Sequence, residues 1–332
     1  MYDTEVQEDR DQLQIRRVIE QLLEYAEQHA QARGEPKHGA CWQLIERARS
    51  YLGRAAADLA RPPIANDPAG ARWPAFKQEL YEGLIREELA VHFQPITNSH
   101  SGGVVGIEAL ARWNHPSRGA VTPATFIPMA ERSGAIHELG RWVLDRACAQ
   151  LASWDRCGLV FEYVSVNVSP VQLHHPEFVQ YVDDALQFSG LTPDRLVLEI
   201  TESLLLVHEH ESARSLFAKL RARGIRFAID DFGTGYSSLA YLQALPFSKL
   251  KLDRSFVANL PASRNDMAIV SAVAGLAHVL GLDLIAEGVE TPAQLDALAK
   301  LGCDYIQGWL IGKPQSADDL ARLFASGKLH MD

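Results

Sequence analysis

The sequence predicts an α/β protein: a TIM-like (β/α)8 barrel with one antiparallel strand, preceded by an N-terminal helical hairpin. Three observations carry this. From about residue 75, eight short β-rich runs alternate with longer amphipathic stretches over about 250 residues, the size and order of such a barrel. The first two runs are separated only by Thr97-Asn98-Ser99-His100-Ser101-Gly102, a hairpin-length loop that can join only antiparallel strands, so one strand runs against the other seven. The first sixty or so residues, by contrast, carry a helical period and no strand-like run.

Taken in order, residues 4–33 place Ile15, Ile19, Leu22 and Ala26 on one helical face, and Gly34-Glu35-Pro36 breaks the pattern. A second helix, about 38–60, aligns Cys41, Ile45, Ala48, Leu52, Ala55 and Leu59 before Pro62 and Pro63 stop it. Two helices with one apolar stripe each bury little alone, so residues 1–61 read as a hairpin that packs on a partner or on the main domain. Residues 62–74 have linker composition, and 75–327 form the main domain. Its predicted strands are Leu89–Ile96, Gly103–Leu110, Phe161–Val168, Leu196–Ile200, Ile225–Ile229, Lys249–Leu252, Leu282–Ala286 and Asp304–Ile306. Helical stretches at Ala135–Trp154, His175–Phe188, Ser203–Arg223 and Asn265–Leu280 lie between them. Another helix starts with Thr291 as cap and Pro292 in the first position.

Composition narrows the function classes. The chain has 332 residues, 47% hydrophobic and 22% charged, with a net charge of −10 that argues against a nucleic acid polymer as partner. A small anionic ligand stays open, because divalent metals can reverse the sign at a site. Cys41, Cys148, Cys157 and Cys303 are far apart with no CxxC, so they read as free thiols of a reducing, cytoplasmic compartment. The acidic N-terminus shows no signal peptide, and the longest mostly apolar stretch, Met267 to Leu282, is too short for a membrane span.

Chemistry in a parallel barrel collects where the strands end at their C-termini. There the second strand brings Glu108 with Ala109, Leu110, Ala111 and Arg112, the third Asn167, and the fourth Glu199 and Glu202. The fifth brings Asp230-Asp231 with the glycine-containing run to Leu239, the sixth Lys251 and Asp253, the seventh Glu287, and the eighth Gln307. Singly, each has a plain structural reading: Glu199 a salt bridge, Asn167 or Asp231 a turn cap, Lys251 a snorkelling surface residue. Together, four or five carboxylates and an amide converging on one mouth repel one another without cations, and all-oxygen ligands suit Mg²⁺ or Mn²⁺ rather than zinc. Asn167-Val168-Ser169 also matches a glycosylation sequon, but Pro170 follows it. His208-Glu209-His210 diverges around a helix and reads as a solvated face.

These pieces, in this order, closely resemble the EAL-domain family of cyclic di-GMP-specific phosphodiesterases, over roughly 75–325. The signature tripeptide stands as Glu108-Ala109-Leu110, followed by Asn167, Glu199-Ile200-Thr201-Glu202, Asp230-Asp231-Phe232-Gly233-Thr234-Gly235-Tyr236-Ser237-Ser238, Lys251, Glu287 and Gln307. The resemblance implies hydrolysis of cyclic di-GMP to linear pGpG by a water activated between two divalent cations, Mg²⁺ or Mn²⁺. Glu108, Asn167, Glu199 and Asp230 would hold one cation; Asp230 would bridge to the other, with Asp231 and Glu287. Lys251 and Glu287 would sit beside the attacking water, which of them acts as base being left open, with Glu108 in the same catalytic group. The resemblance further implies substrate contacts from Gln94, Leu110 (on a base), Arg112 (on a phosphate), Asp253, Gln307 and Pro314, and a loop-tethering role for Glu202. No metal-ligand position departs from the pattern; Ala111 and Trp309 stand where leucine and tyrosine are common.

Two other readings remain: a non-catalytic cyclic di-GMP receptor that signals through the N-terminal helices, and an unrelated metal-dependent barrel enzyme acting on a carboxylate substrate. A homodimer is expected, through barrel elements near the fifth strand as the family implies or through the N-terminal stripe, as is a regulatory partner at residues 1–61.

Overall fold

The fold was analysed in a computed structural model that describes residues 69–202, 211–233 and 245–330. The N-terminal hairpin, the linker up to residue 68 and the run from Thr234 to Leu239 therefore lie outside the described residues. The chain divides into two compact units, Met1–Ala71 and Arg72–Asp332; the second contains the barrel.

Nine strands form one sheet: β1 Leu89–Asn98, β2 Val104–His115, β3 Gly119–Val121, β4 Tyr163–Asn167, β5 Leu196–Thr201, β6 Arg226–Phe232, β7 Phe247–Leu252, β8 Asp283–Ala286 and β9 Tyr305–Ile306. Neighbours from β2 and β4 through to β9 pair in parallel. The antiparallel strand is β1, which pairs with β2 on one side and with β9 on the other and so closes an eight-stranded barrel. The cause is local. Asn98 Oδ1 accepts the backbone N–H groups of His100 (2.9 Å) and Ser101 (3.0 Å), an Asx turn, and Gly102 takes φ 76°, which reverses the chain within five residues. No helix fits in that interval.

Helices α1 Ala69–Ile85, α2 Pro123–Ser133, α3 Ile136–Arg156, α4 Pro170–Leu173, α5 Phe178–Ser189, α6 Glu211–Ala222, α7 Arg264–Val279, α8 Pro292–Lys300 and α9 Ala317–Ala325 are the described helices. None is long and apolar enough to cross a membrane. Three sequence expectations change here. Residues 69–74, of linker composition, belong to α1: Ala69, Ala71 and Arg72 favour helix, and Pro74 falls within its first two turns. Strand β2 runs past Leu110 to His115, because β1 and β3 continue to pair with it as far as Trp113 and beyond. Helix α2, unexpected because Pro128 interrupts its pattern, starts with Pro123 in its first turn and ends at Gly134 in the left-handed region.

The core has two shells. Inside the barrel Ile96, Val105, Tyr163, Val197, Ala228 and Ile285 pack together; between strands and helices lies the larger cluster, in which Trp113 meets Phe76 and Phe126 edge-on, both at 5.8 Å. Helix α8 begins with the expected cap as a full capping box. Gln294 N–H donates to Thr291 Oγ1 (3.2 Å), and Thr291 N–H donates to Gln294 Oε1 (2.9 Å). Thr291→Ala is expected to cost about 1 kcal/mol, measurable as a lower denaturant midpoint with an unchanged slope.

Candidate active site at the barrel mouth

Side chains alternate along a strand, so two adjacent residues normally point to opposite faces. Asp230 and Asp231 escape that rule. Asp231 has φ 55°, a left-handed backbone that Asp tolerates better than most residues, and the β6–β7 register is irregular between Ile229 and Phe232. As a result ligand oxygens of Asp230, Asp231 and Glu287 lie within 4.8 Å of one another, the one such carboxylate, histidine or cysteine triad among the described residues. The two aspartates thus sit within β6 rather than just beyond it.

Lys251, the penultimate residue of the neighbouring strand β7, is 1% exposed. Its Nζ lies 2.6 Å from Glu199 Oε2, 2.6 Å from Glu287 Oε1, 3.1 Å from Asp230 Oδ1 and 3.5 Å from Glu108 Oε2. It is the hub of the site, not a snorkelling surface residue. Glu108 in turn accepts Asn167 Nδ2 (2.7 Å) on one oxygen and Gln307 Nε2 (2.6 Å) on the other. Gln307 Nε2 also reaches Gln94 Oε1 (3.1 Å), while Gln94 Nε2 donates to Gly312 O (2.9 Å). One hydrogen-bonded network therefore runs from β1 through β9 and β2 to β4, and the antiparallel register that sets Gln94 opposite Glu108 is what makes it possible.

Glu108, Glu199, Asp230 and Glu287 crowd within 3.5 Å of one ammonium, with Asp231 beside Asp230 and Glu287, so like charges press on one another at the mouth. Burial pushes the Glu199 carboxyl far above its ordinary range, and the charge of Glu108 adds to this. Burial likewise pushes Glu287 up to about 8, against the pull of Lys251 and with the push of Asp230 and Glu108. Asp231 is raised by burial and by Asp230. Glu108 goes the other way: burial opposes its charge, but Lys251 and the bonds from Gln307 and Asn167 outweigh it. Burial would also depress Lys251, yet Asp230, Glu108, Glu199 and Glu287 hold its ammonium well above the usual range. Such a set is electrostatically incomplete, the condition in which an oxygen-only cavity takes up hard cations.

The remaining predicted residues fall around this centre. Leu110 and Arg112 line a cavity of about 490 Å³ with Asn167, Ile127, Leu139 and Val143. Arg112 Nη1 also donates to Ala111 O (2.8 Å). Pro314 lies in the segment that crosses β1, its carbonyl 3.4 Å from His92 Nδ1. Asp253 caps a short turn by accepting Ser255 N–H (2.9 Å). Glu202 is buried and accepts Gly233 N–H (2.8 Å), anchoring the start of the run that leads to Leu239. Sequence reasoning missed Glu131, which faces the same cavity and accepts a 2.5 Å hydrogen bond from Oγ of Ser169, a rim residue with no site role in the sequence reading. The signal that could have found Glu131 is the helix start at Thr122-Pro123, which puts α2 on the cavity wall.

Comparison with known proteins fits this geometry. The model of the EAL domain family matches residues 77–314. Over 242 residues the chain is 43% identical to the bifunctional diguanylate cyclase/cyclic di-GMP phosphodiesterase MucR of Pseudomonas aeruginosa, covering 73% of this chain and 35% of the relative. Over 238 residues it is 43% identical to the cyclic di-GMP phosphodiesterase NbdA of the same organism, covering 72% of this chain and 30% of the relative. The chain thus spans about a third of the length of these relatives. Among solved structures, the PaMucR phosphodiesterase in complex with c-di-GMP superposes with a TM-score of 0.70 at 43% identity, covering 74% of this chain and 99% of that one.

Proposed function

The chain belongs to the EAL domain family, and from that premise we propose that it is a metal-dependent phosphodiesterase that hydrolyses cyclic di-GMP to linear pGpG. The observation that carries the reading is the Lys251-centred cluster with every acidic position filled. Glu108, Glu199, Asp230 and Glu287 surround one ammonium, and Asp231 joins Asp230 and Glu287.

The residues fit a pair of divalent cations. The donors are all oxygen, as Mg²⁺ and Mn²⁺ prefer, and Asp230, Asp231 and Glu287 bring ligand oxygens within 4.8 Å of one another. Glu108, Asn167, Glu199 and Asp230 would hold one cation, and Asp230, Asp231 and Glu287 the other. When bound, the cations lower the pKa of a water and neutralise the phosphodiester oxygens, so that an anion can be attacked by a nucleophile.

The chain's own groups do the rest. Gln307 and Gln94 fix the Glu108 carboxylate, which keeps the donor set in register with Asn167. The Lys251 ammonium orients the attacking water and faces the charge that grows on phosphorus. Arg112 and Leu110, which line the adjoining cavity, would hold the second phosphate and pack on a guanine base. Asp253 and Pro314 shape the rim. Water adds its oxygen to phosphorus, one P–O3′ bond breaks, and the freed 3′-oxygen takes up a proton. The second phosphodiester stays intact, so the product is linear. A homodimer, a cytoplasmic site of action and a regulatory partner for residues 1–61 complete the proposal.

The purified chain with Mg²⁺ or Mn²⁺ is expected to convert cyclic di-GMP to pGpG, followed by chromatography, and to stop when EDTA is added. Binding of the dinucleotide by folded protein with no turnover in either metal would instead make the chain a receptor.

A further inference from the structure

We propose that Lys251 is an internal counter-cation that sets the metal affinity of the site: its ammonium competes for the ligand carboxylates and holds divalent binding weaker than the carboxylates alone would give. The inference rests on the metal-dependent reading above and extends it from chemistry to control of occupancy.

The geometry is specific. An ammonium has three hydrogens to give, and here it lies within 3.1 Å of oxygens from Glu199, Glu287 and Asp230, with Glu108 at 3.5 Å. Each of those carboxylates belongs to the proposed ligand set. A divalent cation entering the mouth must draw on oxygens already engaged by Nζ, and it does so beside a fixed positive charge. In a buried site, charges a few ångströms apart interact far more strongly than in water. The lysine has no easy retreat. It is 1% exposed, and the inner cluster of Ile96, Val197, Ala228 and Ile285 cannot stabilise an ammonium. It therefore remains in the site as a partner when metal arrives and opposes each incoming cation.

This arrangement has a use. Without any counter-charge, the close carboxylates would destabilise the fold until metal bound. With Lys251 the fold tolerates the metal-free state, and occupancy becomes responsive to the metal concentration instead of being permanently saturated.

The test is Mn²⁺ binding by calorimetry at pH 8, in two buffers of different ionisation enthalpy so that protons displaced from the carboxylates are counted, on the full chain and on Lys251→Met, Lys251→Gln and Lys300→Met. Lys300 is exposed and pairs only with Asp296 along its own helix, so its loss changes net charge without touching the site. Both Lys251 variants are expected to bind Mn²⁺ at least ten-fold more tightly than wild type, about 1.4 kcal/mol. Their metal-free forms should melt lower and gain more on adding metal, whereas Lys300→Met should match wild type. If Lys251→Met does not fold without metal, Lys251→Gln, whose amide still donates to the carboxylates, carries the comparison. Equal or weaker Mn²⁺ binding by a folded Lys251 variant overturns the inference while leaving the phosphodiesterase reading in place. Absence of Mn²⁺ binding by wild type and variants alike overturns the metal-dependent reading itself.

Discussion

Asp230→Asn is expected to lower cyclic di-GMP turnover by at least about 10²–10³-fold, the scale for losing one preorganised electrostatic group, and in all practical assays to abolish it. Asp230 is the only residue shared by both proposed cation sites, and its Oδ1 lies 3.1 Å from Lys251. Asparagine keeps the shape and removes the charge, so the loss is not one of packing. The stability readout separates this from a folding defect. In the metal-free site Asp230 pushes up the carboxyls of Glu199, Glu287 and Asp231 but also pairs with the Lys251 ammonium at 3.1 Å, so its repulsions and its ion pair oppose each other. The variant should therefore melt close to wild type without metal, and should lose most of the stabilisation that Mn²⁺ gives. Turnover within ten-fold of wild type would remove Asp230 from the centre of the reaction.

How much of this was legible in the sequence depends on which physical rule governs each residue. The antiparallel β1 was readable because loop length restricts strand direction, and the Asn98 turn bears that out. The rim residues were readable because strand ends can be placed from apolar runs. What those runs conceal is backbone detail. The left-handed Asp231 that swings two adjacent carboxylates to one side leaves no mark in the period of the sequence, and Asp is only moderately suggestive of it. Lys251 taken alone read as a snorkelling surface residue, because a single lysine in a short strand carries no information about what four other strands point at it. The cavity wall was hidden for a different reason. Helix α2 contains Pro128, which breaks the local pattern, so Glu131 was not placed beside Leu110 and Arg112. Local rules were enough for elements; the site emerges from register between distant strands.

That dependence on register gives the other large effect, at a residue with no chemistry. Gly308→Ala is expected to cost at least about 3 kcal/mol, the top of the range for overpacking, and to impair turnover beyond what the lost stability explains. A Cβ at 308 would come 2.2 Å from both the N and the O of Val289. Those are backbone atoms, so no rotamer change makes room. They are also committed: Val289 N–H donates to Gln307 O (3.1 Å), and Val289 O accepts Leu310 N–H (2.9 Å). Relief requires the β9 end to move away from the segment after β8, breaking these bonds. Gln307 moves with it, and its Nε2 is what holds Glu108 at 2.6 Å and Gln94 at 3.1 Å. The midpoint of chemical denaturation should fall sharply. At a temperature where the variant is still folded, kcat should drop while dinucleotide binding through the proposed contacts of Arg112 and Leu110 is retained. A variant with wild-type kcat and melting temperature would mean that the close approach of Gly308 to Val289 does not hold Gln307 in place.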